Sequence, residues 1–305
     1  MSVLDDHSFA LLLTHDIDRV HKTYQAVYYA VTRRDVGSLV DLLPWRHPYW
    51  QFKTIMDIED AAGVRSSFNF LNERSLVEMP PTSWVDPQSW RLYAGRYDIQ
   101  DHAIRDVIRD LDTGGWEIGL HGSYTSYDDP ERLRMEKTTL ESIVGHQVVG
   151  GRQHYLNLSE PETWRHQSAT GLRYDSSLGS STTYGFDGRY APFRPFDDEF
   201  VVFPLTLMEK ALPSVETDPE RAWEAAEQLL RKARDNGAVM TVLWHLCYFH
   251  DTDHPNYRAL YRRLIDRALE LGAWAGSPGT FYESMDHPVA STRMTKDEHT
   301  DYEVA

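Results

Sequence analysis

Cysteine is almost missing from this chain: Cys247 is the only one in 305 residues. A lone thiol excludes an intrachain disulfide and any cysteine zinc cluster, so a bound metal would have to use histidine and carboxylate ligands. Beside an apolar run, Cys247 reads as a packing residue rather than a nucleophile. Lysine is scarce as well, supplying six of the 31 basic residues. No apolar stretch approaches the roughly 20 residues that span a bilayer. The longest near the start, Phe9-Ala10-Leu11-Leu12-Leu13, lacks the basic flank and cleavage site of a signal peptide and reads as a core strand. A cytoplasmic protein is therefore expected. Linkers, low-complexity tracts and internal repeats are also lacking, which predicts one domain over residues 1–287 and a disordered polar tail over 288–305.

What remains is acidic. The net charge of -16 argues against nucleic acid, whose phosphates need a positive surface. An acidic surface that keeps arginine and has little lysine fits a protein working in concentrated salt, where screening suppresses self-repulsion. It fits equally a soluble acidic protein from an arginine-favouring genome, and composition leaves both readings open.

Runs of strand length and character lie near residues 8–14, 65–71, 116–120, 147–151, 172–174, 200–204, 238–244 and 273–275. Helical periods fall between most of them. Ile99, Ala103, Ile104, Val107, Ile108 and Leu111 repeat every 3.6 residues before Gly114-Gly115. Trp223, Ala226, Leu230 and Ala233 do the same before Asn236-Gly237, and Leu260, Leu264, Ile265 and Leu269 before Gly272. This alternation predicts parallel strands with helices outside, in a barrel or a doubly wound sheet, with function gathered where strands end. Two excursions rich in aromatics and arginine, about residues 20–50 and 177–199, either wall a binding groove or pack on the barrel.

Five polar clusters fall at such ends: Thr14-His15-Asp16-Ile17-Asp18, Glu117-Ile118-Gly119-Leu120-His121, Arg152-Gln153-His154-Tyr155, Tyr174-Asp175-Ser176 and Leu243-Trp244-His245. Two carboxylates at one strand end suit a metal ligand and a base, although Asp18 also suits the cap of a helix beginning near Arg19. Histidine is the commonest metal ligand, which draws in His121 and His154, while either could simply bond a loop. Arg152 has the planar fork that orients a carboxylate. Burial of His245 would tune it for acid work or merely satisfy it in the core. His250, Asp251, Asp253 and His254 read as a solvated loop.

With these residues in view, the chain resembles the polysaccharide deacetylases of the NodB-homology type, carbohydrate esterase family 4, over roughly residues 8 to 285. Leu13-Thr14-His15-Asp16-Ile17-Asp18 is similar to that family's first motif, Thr-Phe-Asp-Asp, in which the first aspartate is the base and the second holds the metal. The resemblance implies Asp16 as base and Asp18 as ligand, with Ile17 leaving an exchange of roles open. His121 matches the first histidine of the second motif, whose second ligand position is Thr125 here, so His154 or solvent must fill the gap. Arg152 matches the arginine that braces the base. Tyr174-Asp175-Ser176 is similar to the fourth motif, and Leu243-Trp244-His245 to the fifth, whose histidine is the acid.

The implied fold is an irregular (β/α)7 barrel. The implied activity is removal of an N-acetyl or other acyl group from a sugar, with Asp16, His245 and Arg152 catalytic and Asp18, His121 and His154 on the metal. Tyr155, Tyr174 and Asp175 are the expected substrate contacts. The cofactor is a divalent ion, with zinc expected and cobalt, manganese or nickel as alternatives. The substrate is an acetylated amino sugar, nucleotide- or lipid-linked and destined for surface glycans, since a cytoplasmic enzyme cannot reach a finished wall. A non-catalytic glycan-binding or scaffolding protein on the same barrel, and a hydrolase of a non-sugar amide, are the alternatives.

Overall fold

The computed structural model describes residues 3–34, 36–43 and 45–285. The tail expected at 288–305 lies outside the described residues.

Strand β1 (Phe9–Ile17) is buried along its whole length because it has neighbours on both edges and apolar layers on both faces. In chain order, β2 (Ser67–Leu71), β3 (Glu117–Gly122), β4 (Gly150–Gln153), β5 (Tyr174–Asp175), β6 (Val201–Val202), β7 (Leu205–Met208), β8 (Val239–Leu243) and β9 (Ala273–Gly276) follow. The sheet runs β6-β5-β4-β3-β2-β1-β8-β7, with β9 beside β1. Every ladder between these strands is parallel.

The two edge strands, β6 and β7, are separated in sequence by Phe203 and Pro204 alone. An edge that returns to its own opposite edge within two residues requires the sheet to curl into a barrel. Pro204 has no amide to donate, so the segment reads as one interrupted stave. Counting it once turns the eight strands of that order into seven staves, with β9 an additional strand beside β1, the irregular (β/α)7 barrel that the resemblance implied. Helices cover the outside, among them Phe52–Ala62, His102–Thr113, Pro130–Val144, Pro219–Asp235 and Tyr257–Glu270.

Alternation along β1 sorts its side chains into two sets. Phe9, Leu11, Leu13 and Ile17 enter the large core beneath the helices. Ala10 and Leu12 enter a separate cluster with Tyr174, Val201, Phe203, Val239, Phe281 and Tyr282, which fills the barrel below the mouth. Continuing the even positions past Leu12 gives Thr14, Asp16 and Asp18, so the interior face turns polar toward the mouth. His15, on the odd face, goes to the helices instead. Its Nε2 lies 3.0 Å from Glu59 Oε1 and 3.1 Å from the Tyr261 hydroxyl, and its Nδ1 lies 2.7 Å from the Trp244 carbonyl. Glu59 is fully buried and also accepts from the Trp116 indole and the Ser66 amide, so β1 is tied to two helices by a satisfied carboxylate.

The polar clusters lie at strand ends, with Asp16, His121 and Arg152 each the next-to-last residue of β1, β3 and β4. Three expectations are adjusted. Asp18 caps no helix, because the first helix begins at Tyr24. Cys247 is half-buried and lines a cavity, with burial pushing its thiol up. Asp253 is not solvated: it is 2% exposed and pairs at 2.9 Å with Lys22, which also meets Asp41 at 2.9 Å.

Candidate functional site

The mouth of the barrel holds two adjoining cavities of about 230 and 150 Å³. Asp16, Asp18, Tyr155 and His245 line both, and His121 and His154 line the smaller. Five of the six residues carry catalytic or metal expectations, and Tyr155 was an expected substrate contact. Their convergence follows from topology, since β1, β3, β4 and β8 are parallel and end at the same rim.

Asp16 is 2% exposed. Its Oδ1 accepts from Asn69 Nδ2 at 2.8 Å and from Arg152 Nη1 at 3.0 Å. Burial alone would raise this carboxyl, but the Arg152 charge, helped by His121, His245 and the Asn69 bond, outweighs it and holds the pKa below the ordinary value. Arg152 is itself fixed, donating from Nη1 to Thr14 Oγ1 at 2.9 Å and from Nε to the Ser176 carbonyl at 2.8 Å. The register beneath it is tight. At Gly151 a β-carbon would overlap the carbonyl oxygen of Leu120, so only glycine lets β4 come close enough to deliver Arg152 and His154.

One ligand atom each from Asp18, His121 and His154 lies within 4.8 Å of the others, the one such group of three among the described residues. His121 Nδ1 donates to the Arg152 carbonyl at 2.9 Å. Its neutral form therefore presents a lone pair at Nε2, 3.0 Å from Asp18 Oδ1. Two acceptors at that distance repel unless a proton or a metal ion stands between them. Asp18 Oδ1 is buried with no hydrogen-bond donor among the described residues, the condition a cation relieves.

His154 completes the group with Nε2 at 3.7 Å from Asp18 Oδ2. Its Nδ1 faces Glu73 Oε2 at 3.7 Å, beyond hydrogen-bond distance but on the side from which a carboxylate commonly orients a metal-binding histidine. Arg96 Nη2 approaches the same Nε2 at 3.3 Å and must turn aside if that nitrogen is to bind an ion. The residues present thus fit a divalent ion with one carboxylate and two imidazoles, the donor set expected for zinc at a hydrolytic site. Thr125 is exposed and lines neither cavity. A turn places His154: Tyr155 and Leu156 both take left-handed backbone, φ 59° and 57°, a conformation costly for non-glycine residues.

His245 faces the group from β8's end, Nε2 3.9 Å from Asp18 Oδ2. Burial opposes its charge, but Glu209, whose Oε1 lies 2.9 Å from Nδ1, raises its pKa to about 9, with Asp18 and Asp16 contributing. Sequence reasoning missed Glu209. It is fully buried at the end of β7, and the only signal was an acid directly after a short apolar run.

Tyr174 and Asp175 are not brought to the cavities. The Tyr174 hydroxyl donates to Glu117 at 2.7 Å inside the barrel. Asp175 accepts from Gln167 at 2.8 Å and from the Ser177 hydroxyl at 2.6 Å, holding β5 to the helix behind it. Of the two aromatic excursions, the first contributes Tyr24, Gln25 and Tyr49 to the larger cavity, whereas Tyr184 and Phe186 of the second line a different depression.

No family model matches the sequence, and no curated protein is significantly similar to it. Solved structures do match. A candidate polysaccharide deacetylase from Mycobacterium smegmatis superposes with a TM-score of 0.61 at 18% identity, covering 93% of this chain and 92% of its own. The Puue allantoinase matches with a TM-score of 0.58 at 14% identity, over 92% and 90% of the two chains. A candidate polysaccharide deacetylase from Pseudomonas aeruginosa PAO1 gives 0.58 at 14% identity, over 92% and 91%. At such identities the likeness is one of fold, and the chain has the fold of the polysaccharide deacetylases.

Proposed function

We propose that the protein is a metal-dependent hydrolase that removes an N-acetyl or related acyl group from an amino sugar, nucleotide- or lipid-linked and on its way to a surface glycan. The supporting observation is the convergence on one cavity of a base held ionised, a carboxylate with two imidazoles, and a protonated histidine. Asp18, His121 and His154 would hold the ion, with zinc fitting the donor set and cobalt, manganese or nickel as alternatives. When bound, such an ion polarises a carbonyl and lowers the pKa of water.

The chain's own groups then divide the proton work. Asp16, kept ionised by Arg152 and Asn69, takes a proton from the water that attacks the acyl carbon. Arg152 stops that carboxylate from rotating away. His245, protonated through Glu209, gives its proton to the nitrogen as the carbon-nitrogen bond breaks, releasing carboxylate and amine. Tyr155, at 44% exposure on the rim, flanks the sugar.

Purified protein supplied with zinc or cobalt should release acetate from acetylated amino sugars. Asp16→Asn should lower that rate by about 10²- to 10⁴-fold, the usual worth of a general base. Equal activity in Asp16→Asn removes the base role.

A second reading is favoured by the Arg96 contact on His154 Nε2, which places a guanidinium where an ion would sit. On that reading the barrel binds a glycan without hydrolysing it. Metal analysis separates the two: one bound equivalent supports the enzyme, and none after soaking supports the binder. Release of a product from a non-sugar amide, with no acetate from any sugar, would instead move the activity to another amide class.

A further inference from the structure

The cavity carries four cations that the proton chemistry does not use. Arg19, Arg91, Arg96 and Lys210 line it, and among the described residues none of them has a carboxylate oxygen within 4.0 Å. The acids that line it are already assigned: Asp16 to Arg152, Glu209 to His245, and Asp18 to the ion it would share with His121 and His154. A local positive surplus in a chain of net charge -16 runs against composition, and at Arg19, which is 9% exposed, it also costs desolvation.

The four divide by what their donors do. Arg19 donates from Nη1 to the Ala94 carbonyl and from Nη2 to the Arg91 carbonyl at 2.7 Å. Arg96 donates from Nε to the Leu92 carbonyl at 2.6 Å and from Nη1 to the Asp18 carbonyl at 2.8 Å. These two anchor the C-terminal end of the helix Pro87–Tyr93 against the mouth and hold Arg91 at the rim. Arg91 stands over the Tyr155 ring at 5.4 Å, and its guanidinium makes no hydrogen bond among the described residues. Lys210, exposed on the turn after β7, has no partner for its ammonium among the described residues. Both Arg91 and Lys210 line both cavities, alongside Asp16, Asp18 and His245.

We infer that the substrate carries a carboxylate or phosphate close to its acylated nitrogen, and that Arg91 and Lys210 bind that anion. A planar fork and a flexible-stemmed ammonium, both without a carboxylate partner among the described residues, are the pair such oxygens select, and hydrogen bonds between ionised groups are stronger than neutral ones. The inference takes from the hydrolase reading only the position of the amide, and binding alone tests it.

Four probes are titrated into the metal-soaked protein by calorimetry: N-acetylglucosamine, its 1-phosphate, N-acetylglucosaminuronic acid and uridine diphosphate N-acetylglucosamine. The anionic probes should bind at least about tenfold tighter than the neutral sugar, equivalent to one charge-assisted contact. Tighter binding of the phosphates alone assigns a phosphate, and of the uronate alone a carboxylate. Arg91→Gln and Lys210→Gln together should bring the anionic probes down to the neutral sugar's affinity, while Arg221→Gln with Lys232→Gln, the same loss of two charges outside the cavity, should keep the preference. No preference for the anionic probes, absent binding of all four included, overturns the inference, as does a preference that survives the double substitution. Anion-selective binding without acetate release would discard the hydrolase reading and leave this site standing.

Discussion

Between Thr14 and Asp18 each residue's side is set by the two-residue period of β1. Asp16 and Asp18 share the interior face, and His15 and Ile17 share the helix face. The sequence therefore made the pair of carboxylates legible, and it named His154 or solvent for the position Thr125 leaves, with His154 now found beside Asp18 and His121. Glu209 was not legible, because its partner His245 lies on another stave and nothing local announces the contact. Its effect is measurable. The Glu209 carboxylate holds the His245 pKa up at about 9, against the ordinary histidine value, so the imidazole proposed as the acid stays protonated through neutral pH. Activity should fall as pH rises through that value, and Glu209→Gln should move the alkaline limb of kcat/KM to lower pH while leaving the acid limb in place. An unmoved alkaline limb would show that Glu209 does not set the proton on His245. The sign for stability agrees: a raised folded pKa gives stabilisation that is complete below the unfolded value and lost as pH climbs toward 9.

At the scale of elements, the long staves were legible because apolar β-runs and glycine-stopped helices alternate. Tyr174 and Asp175 sit on β5, a two-residue stave, where a motif-like string was read as site and serves packing instead. The split of the sixth stave at Pro204 was hidden, since the run around it is continuous in hydropathy. The first excursion was ambiguous between groove wall and packing, and the Lys22 pairs with Asp41 and Asp253 explain how it serves as wall. The Lys22 side chain is 1% exposed and Asp253 is 3%, so removing one partner strands buried charge. Lys22→Met should cost about 3–5 kcal/mol, the usual penalty for breaking a buried pair. Denaturant unfolding of the two proteins measures it. A change below about 1 kcal/mol would mean the pair behaves as a surface one and does not pin the excursion.

For the whole molecule, no described helix is long and apolar enough to cross a membrane, and the dominant property is negative charge. Screening relieves self-repulsion, so the melting temperature should rise from dilute buffer to concentrated potassium chloride. Maximal stability in low-salt buffer would reject adaptation to salt. The barrel concentrates opposite charge at one end, and the central claim is that a metal ion belongs there. Crystals soaked in zinc and measured at its absorption edge test it directly. The expected result is a single anomalous peak, about 2.0–2.2 Å from an Asp18 oxygen and from the Nε2 atoms of His121 and His154. A map with no peak among these three residues, with Arg96 still on His154, would contradict it.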